Sequence, residues 1–165
     1  MSLKIEILSS EHVKSGFDCG YDTLNDYIRL RAKQDVKKDL SVCYVLIDTS
    51  NNNVMGYYTL SSSSVYKSDL PDNLSKKLPY STIPVVLLGR LAVDNNYKGN
   101  GYGEVLLMHS FAKSCESSDI IGAHAIVVDP IDETAERFYG KFDFIKLEGT
   151  GKMFISIETV RKSMK

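Results

Sequence analysis

Apolar residues return every four positions at Leu24, Ile28, Ala32 and Val36, the repeat of one helix face. With Asp22 as N-cap, this spacing predicts a helix from Thr23 to about Lys38. Arg29, Lys33 and Lys37 repeat at the same interval one residue further round, so a basic stripe runs beside the apolar one. Lys4–Leu8 reads as a short strand. Val42–Ile47 and Val54–Leu60 are β-branched and aromatic runs. The polar stretch 48–53 between them makes a hairpin. Ser68–Pro84 carries prolines at 71, 79 and 84 and reads as a loop with a short helix near Asp72–Leu78. Val85–Val93 is the most apolar stretch, broken only by Gly89 and Arg90, and predicts a central strand buried on both faces. Glu104–Cys115 follows as a helix, Ala123–Val128 as a strand stopped by Asp129-Pro130, and Asp132 caps a helix to about Phe142. Strands at Phe144–Leu147 and Met153–Ile157 and a short helix at Glu158–Lys165 complete the chain. This alternation implies a mixed α/β fold, a mixed sheet with helices on its faces.

The 165 residues suit one domain spanning 1–165. The 43% apolar and 25% charged content is that of a globular chain able to bury a core without staples. The longest apolar runs, such as Ile83–Leu88, are far too short to span a bilayer. The N-terminus, with Lys4 and Glu6 in its apolar stretch, lacks the pattern of a signal peptide, so a cytoplasmic location is expected. Cys19, Cys43 and Cys115 are odd in number and far apart, and His12, His109 and His124 share no ligand spacing. Neither a disulfide framework nor a metal site is expected, and the thiols read as small buried groups.

The candidate chemistry lies at Tyr97-Lys98-Gly99-Asn100-Gly101-Tyr102-Gly103, between the most apolar strand and a helix. The first turn of a helix has N–H groups without intrahelical partners and a partial positive charge. Glycines let the backbone bend and approach a ligand. The combination makes a cradle for a phosphate or diphosphate. The third glycine comes one residue too early for a dinucleotide fingerprint, and the lysine and hydroxyl that close a P-loop are missing. Taken alone, the glycine pattern fits a flexible loop as well.

The neighbouring residues add a resemblance. Leu88-Gly89-Arg90-Leu91-Ala92-Val93-Asp94, running into the glycine loop, is similar to the core motif of the GNAT acetyltransferases. Lys98 stands where that family has Gln or Arg. Ala135-Glu136-Arg137-Phe138-Tyr139-Gly140-Lys141-Phe142-Asp143-Phe144 resembles their second hallmark, with Asp143 in place of the usual glycine. Phe17-Asp18-Cys19-Gly20, Leu24-Asn25-Asp26-Tyr27-Ile28 and Gly56-Tyr57-Tyr58-Thr59-Leu60 narrow the resemblance to the GNAT toxins of bacterial toxin–antitoxin modules. It spans roughly Phe17 to Ile157.

The resemblance implies a GNAT fold, a mixed, mostly antiparallel sheet with helices on both faces, splayed between the fourth and fifth strands. It implies acetyl-CoA as cofactor, bound by Lys98, Gly99, Asn100, Gly101, Tyr102 and Gly103, by the strand residues Leu91, Ala92 and Val93, and by Phe138. It implies Tyr139 as general acid for the departing thiolate; spacing alone reads Tyr139 as core, next to the apolar helix face of Ala135, Phe138 and Phe142. The acceptor it implies is the α-amino group of an aminoacyl-tRNA, and the partner a small antitoxin with a ribbon-helix-helix part. Such toxins commonly dimerise, but no interface is legible. Arg29, Lys33, Lys37 and Arg90 are then candidates for tRNA phosphates. For the first three a solvated helix face is an equal reading, whereas Arg90 interrupts an apolar strand and needs a cleft or a partner. Asp94 and Asp129 read as turn residues or caps. A small-molecule or protein amine as acceptor, and a non-catalytic CoA-binding protein, remain the alternatives.

Overall fold

The computed structural model describes residues 1–164. Seven strands form one open mixed sheet in the order β1-β2-β3-β4-β5-β7-β6. They are β1 (Leu3–Ile7), β2 (Val42–Asp48), β3 (Asn53–Tyr66), β4 (Thr82–Val93), β5 (Ala125–Val128), β6 (Ile145–Leu147) and β7 (Lys152–Ser156). The α-helices are α1 (Asp22–Asp26), α2 (Ala32–Lys37), α3 (Asp72–Ser75), α4 (Tyr102–Ile121), α5 (Glu133–Gly140) and α6 (Ile157–Ser163). The chain divides into two compact units, Met1–Ser61 with Gly89–Ser110, and Ser62–Leu88 with Phe111–Lys165.

In the first unit β1, β2 and β3 pair antiparallel, with Val45 opposite Tyr57. Because side chains alternate along a strand, Tyr57 and Gly56 serve opposite faces. On the Tyr57 face, Ile28, Ala32, Cys43, Val45, Tyr57 and Ala92 share one buried cluster, with Leu24 and Val36 packed against it. The four-residue stripe read from the sequence therefore faces the core as expected. On the other face, a Cβ at Gly56 would lie 2.9 Å from the Ala92 carbonyl oxygen and 2.9 Å from Leu106 Cδ1. Only glycine lets α4 settle this close to the sheet, so helices cover both faces here.

The single helix expected over 23–38 is interrupted. A π-helical turn, Tyr27–Arg31, joins α1 to α2. A π turn carries an extra residue, and both Tyr27 and Ile28 are buried within it. The N-cap is Tyr21 and not Asp22; the Tyr21 carbonyl accepts the N–H groups of Leu24 and Asn25, and Asp22 begins the first turn. There its carboxylate favours the positive end of the helix.

In the second unit β4 pairs parallel with β5 from Val85–Ala125 to Leu88–Val128, and β7 pairs antiparallel with both β5 and β6. Val85, Val86 and Leu88 are buried, but Gly89 is exposed and Arg90, Leu91 and Val93 are half-buried. The expected burial of β4 on both faces thus fails beyond Leu88, where Ala92 is buried but its neighbours are not. β5 ends at Val128, before Asp129-Pro130, while β4 continues for five residues. Two further expectations are corrected. β3 runs through the serine run 61–64, whose polar side chains carry no apolar alternation to reveal a strand. α4 extends to Ile121 and stops at Gly122, whose φ of +86° suits the residue after a helix C-terminus. Cys19 and Cys43 are buried, and burial pushes the Cys43 thiol up to about 12; Cys115 is half-buried.

After α5, the Tyr139 carbonyl accepts the N–H groups of Phe142 (3.0 Å) and Phe144 (3.4 Å). Asp143 sits in this turn with φ +71°. It adopts the left-handed conformation that a glycine would take, which Asp tolerates better than most residues. The substitution of the family's glycine leaves the turn type intact.

Two stability outcomes follow from these glycine-type positions. Gly56→Ala is expected to cost about 1–3 kcal/mol in urea or thermal denaturation, because backbone atoms cannot yield to the new methyl. Gly16→Ala, where a Cβ meets no described atom within 4 Å, serves as the near-neutral control. At the second turn, Asp143→Gly should not destabilise, whereas Asp143→Val should cost about 1–2 kcal/mol in the same measurement.

Candidate active site

β4 ends in a buried acid. Asp94 is 5% exposed. Its N–H donates to the Met55 carbonyl (2.8 Å), Oδ1 accepts from the Asn96 N–H (2.8 Å), and Oδ2 accepts from the Asp18 N–H (3.0 Å). It caps the 3-10 turn Asn95–Tyr97 that leads into the glycine loop, in keeping with its reading as a cap. The loop then turns at Gly99 (φ +82°) and Gly101 (φ +79°). These values need glycine, and a Cβ at either would meet no described atom within 4 Å, so the loop's outer side is open. The Asn100 amide folds beneath the loop and donates to the Tyr97 (2.9 Å) and Lys98 (3.4 Å) carbonyls.

The Val105 N–H bonds the Gly101 carbonyl at 3.1 Å. The N–H groups of Tyr102, Gly103 and Glu104 precede that first helical bond and have no carbonyl of the helix to bond. They lie at the positive end of a 20-residue helix. An open glycine turn leading into such a helix start fits a diphosphate.

The Phe17–Gly20 segment lies against this loop. The Asn95 N–H donates to the Asp18 carbonyl (2.8 Å), and Lys98 Nζ donates to the Cys19 carbonyl (2.7 Å). Asn25, buried on α1, accepts the Cys19 N–H (2.8 Å) and donates to Asp18 Oδ1 (3.0 Å), which also accepts the Gly20 N–H (2.9 Å). These bonds hold the Asp18 carboxyl below its usual range, the Gly20 N–H contributing most. The Phe17 ring is buried edge-on against Tyr57, with centroids 5.5 Å apart. The sequence motif containing Asn25 does not by itself indicate this role. Its signal was a polar residue on the first turn of a core-facing helix, just after an Asp-Cys-Gly turn.

The basic stripe divides. Lys33 and Lys37 are exposed, but Arg29 is half-buried and its Nη2 donates to the Phe17 carbonyl. Its buried Nε has no hydrogen-bond partner among the described residues. Arg90 has the partner its position demanded: its guanidinium carbon lies 3.5 Å from the centroid of the Tyr27 ring, a cation–π contact. The Tyr27 hydroxyl in turn donates to Asp35 Oδ2 at 2.8 Å.

In the second unit, Asp132 caps α5 by accepting the Ala135 N–H at 2.9 Å. Tyr139, 7% exposed, packs edge-on against Phe138 (5.3 Å) and Phe144 (5.2 Å). Burial pushes its phenol well above the ordinary tyrosine range. Phe138 is half-buried and also meets Phe142 edge-on at 5.3 Å. Asp129 pairs with Lys152 at the surface (2.8 Å).

Comparison with known proteins agrees with this chemistry. The tRNA-acetylating toxin of Mycobacterium tuberculosis is 36% identical over 130 residues, 79% of this chain and 76% of its own. AtaT complexed with acetyl-methionyl-tRNAfMet has a TM-score of 0.92 and 31% identity, covering 99% of this chain and 100% of that one. A tyrosine-to-phenylalanine mutant of AtaT, bound to the C-terminus of the antitoxin AtaR and to acetyl-CoA, has a TM-score of 0.85 and 27% identity, covering 99% of this chain and 98% of that one. The pattern described as Acetyltransferase (GNAT) family matches residues 5–144. With an open glycine turn at the head of α4 and these likenesses along nearly its whole length, the chain belongs to the GNAT acetyltransferase family and uses acetyl-CoA.

Proposed function

We propose that this chain, acting as one domain, transfers an acetyl group to the α-amino group of an aminoacyl-tRNA and so blocks translation. The observation that carries the reading is its likeness, over 99% of its length, to AtaT solved with acetyl-methionyl-tRNAfMet. The 36% identity to a tRNA-acetylating toxin supports it independently. The reading places the enzyme in the cytoplasm, where charged tRNA is found. Among the described residues no helix is long and apolar enough to cross a membrane. Its partner is a small antitoxin with a ribbon-helix-helix part. The AtaT structure with the AtaR C-terminus supports that assignment.

Acetyl-CoA supplies the acetyl group as a thioester. The backbone N–H groups from Gly99 to Gly103 and the first turn of α4 bind its diphosphate. Leu91, Ala92 and Val93 line the path of the pantetheine arm, and a main-chain N–H in this stretch donates to the carbonyl oxygen as charge builds there. One such donor contributes about 3–4 kcal/mol in other enzymes. Tyr139 holds a proton at Oη for the sulfur as the carbon–sulfur bond breaks, and Phe138 beside it contributes to the cofactor side. The amine gives its own proton to water, so this chain needs no strong base. Lys33, Lys37 and Arg90 contribute phosphate contacts on the tRNA, each adding a salt-dependent term. Arg29, tied to the Phe17 carbonyl, contributes chiefly by fixing the segment next to the loop.

Incubation with labelled acetyl-CoA and a full set of charged tRNAs tests the reading. Acetylated aminoacyl product from at least one tRNA is expected, and none across the set overturns it. Tyr139→Phe should fold with an unchanged melting profile and lose about 10²–10³-fold in kcat, the range of a general acid. Its expression in bacteria should permit growth where the unaltered chain arrests it.

The pH profile has a stated sign. The raised pKa of Tyr139 keeps its acid form intact well past pH 9. An α-amine titrates near pH 8 or below, and only its neutral form attacks. Initial rates taken from pH 6 to about 9.5 should therefore rise in kcat/KM and level off near the amine pKa. A fall before pH 9 would exclude Tyr139 as the acid.

A further inference from the structure

The motif Phe17-Asp18-Cys19-Gly20 supplies no group to the chemistry just described, yet it is bonded to the glycine loop and its entry at three points. These are the Asp18 N–H on Asp94 Oδ2 (3.0 Å), the Asn95 N–H on the Asp18 carbonyl (2.8 Å), and Lys98 Nζ on the Cys19 carbonyl (2.7 Å). Each lies between the end of β4 and the first loop glycine. Behind the segment stands Asn25, 5% exposed, gripping the Cys19 N–H and the Asp18 carboxylate together. The Gly20 turn (φ +92°) curls back on Asp18 Oδ1. The Phe17 ring anchors the other end in the core against Tyr57. Beyond Lys98, Gly99, Asn100 and Gly101 are exposed; the Asn100 amide bonds back to the Tyr97 and Lys98 carbonyls, and the Gly101 carbonyl accepts the Val105 N–H.

We propose that Phe17–Gly20 is a brace that sets the geometry of the diphosphate-binding loop, and that Lys98 and Asn25 are positioning residues for acetyl-CoA. On this account, which rests on the acetyl-CoA reading above, Lys98 serves the cofactor through the Cys19 carbonyl and not as a cationic ligand of the diphosphate. A carbonyl is the weaker electrostatic partner for an ammonium. What the bond provides is a fixed distance between the loop entry and a segment already seated in the core. The backbone N–H groups past Gly99 are useful to a diphosphate only if they converge, and convergence depends on how the chain enters the turn. Asn25 acts one step further back, with its side chain committed to the brace on both its carbonyl and its amide.

The two roles open to Lys98 give different results in a double-mutant cycle. Lys98→Met and Asn25→Ala are measured singly and together, for KM and kcat with acetyl-CoA and for binding of coenzyme A by calorimetry. Asp18→Ala, at an exposed position, is the second way of slackening the brace should Asn25→Ala fold poorly. Each single change is expected to raise KM and the coenzyme A Kd by about fivefold to tenfold with kcat within twofold, the scale of one lost hydrogen bond. The double variant should be no weaker than the weaker single one, because either change alone releases the brace. Lys98→Arg should restore binding to within about threefold, since the donor is kept.

Thermal melts accompany every variant. Val160→Ala, which removes a fully buried side chain from α6, should lower the melting temperature without moving KM. Multiplying effects in the double variant, or an effect of Lys98→Met with none from Asn25→Ala and Asp18→Ala, would overturn the brace and return Lys98 to the anion itself. An unaltered chain with no saturable coenzyme A binding would instead overturn the acetyl-CoA reading and the brace with it.

Discussion

A carboxylate removed from water must have its charge answered by donors. Asp94 meets that demand with the Asn96 N–H on one oxygen and the Asp18 N–H on the other. The first bond ends β4 and starts the turn toward the glycines. The second draws in a segment 76 residues earlier in the chain. With its own N–H on the Met55 carbonyl, Asp94 joins β3, β4, the glycine loop and the segment before α1 at one point. A loop of glycines has little conformational preference of its own, so its shape has to be imposed from its ends. α4 holds the far end by close packing at Gly56, and Asp94 and Lys98 hold the near end.

The elements that follow apolar periodicity were legible in the sequence; those set by polar or backbone groups were not. The stripe Leu24–Ile28–Ala32–Val36, the 42–60 hairpin, the Asp132 cap and the paired strands near the C-terminus all carry a repeat or a stop signal, and each lies where that signal put it. The π turn at Tyr27–Arg31 is invisible to a four-residue repeat, because one inserted residue leaves the stripe facing the same core. The 61–64 strand segment was hidden because exposed serines have no alternation. The sequence reads β4 as buried past Leu88 because Leu91 and Val93 are apolar, yet both are half-buried while Ala92 between them is buried, a difference that composition alone does not show.

Asp143 and Tyr139 show the same division within one turn. A residue other than glycine at position 143 suggests an altered bend, but the backbone there still has φ +71°. The conformation is one a glycine would take, which Asp can adopt at modest cost. Spacing reads Tyr139 as core and the family resemblance reads it as an acid; its surroundings are those of a core residue. Edge-on rings at Phe138 and Phe144 are core packing. The low-dielectric environment they create is also what raises the phenol pKa and keeps the proton on the oxygen. A tyrosine buried in this way needs no charged neighbour to stay protonated; packing supplies the condition.

The basic residues carry the argument furthest from what spacing can tell. Arg29, Lys33 and Lys37 stand at equal intervals, and a helix of uniform pitch would present them as one face. Two local facts separate them. The π turn contains Arg29 and ends before Lys33, and the Phe17 carbonyl accepts from the Arg29 guanidinium. Arg29 is thereby half-buried and engaged, while Lys33 and Lys37 remain in water, where a phosphate contact displaces only solvent and counterions. Arg90, which looked the most anomalous charge in the sequence, is matched by the Tyr27 ring that the same π turn buries. The π turn thus carries one of these arginines and the ring that the other stacks on, while Lys33 and Lys37 stay exposed.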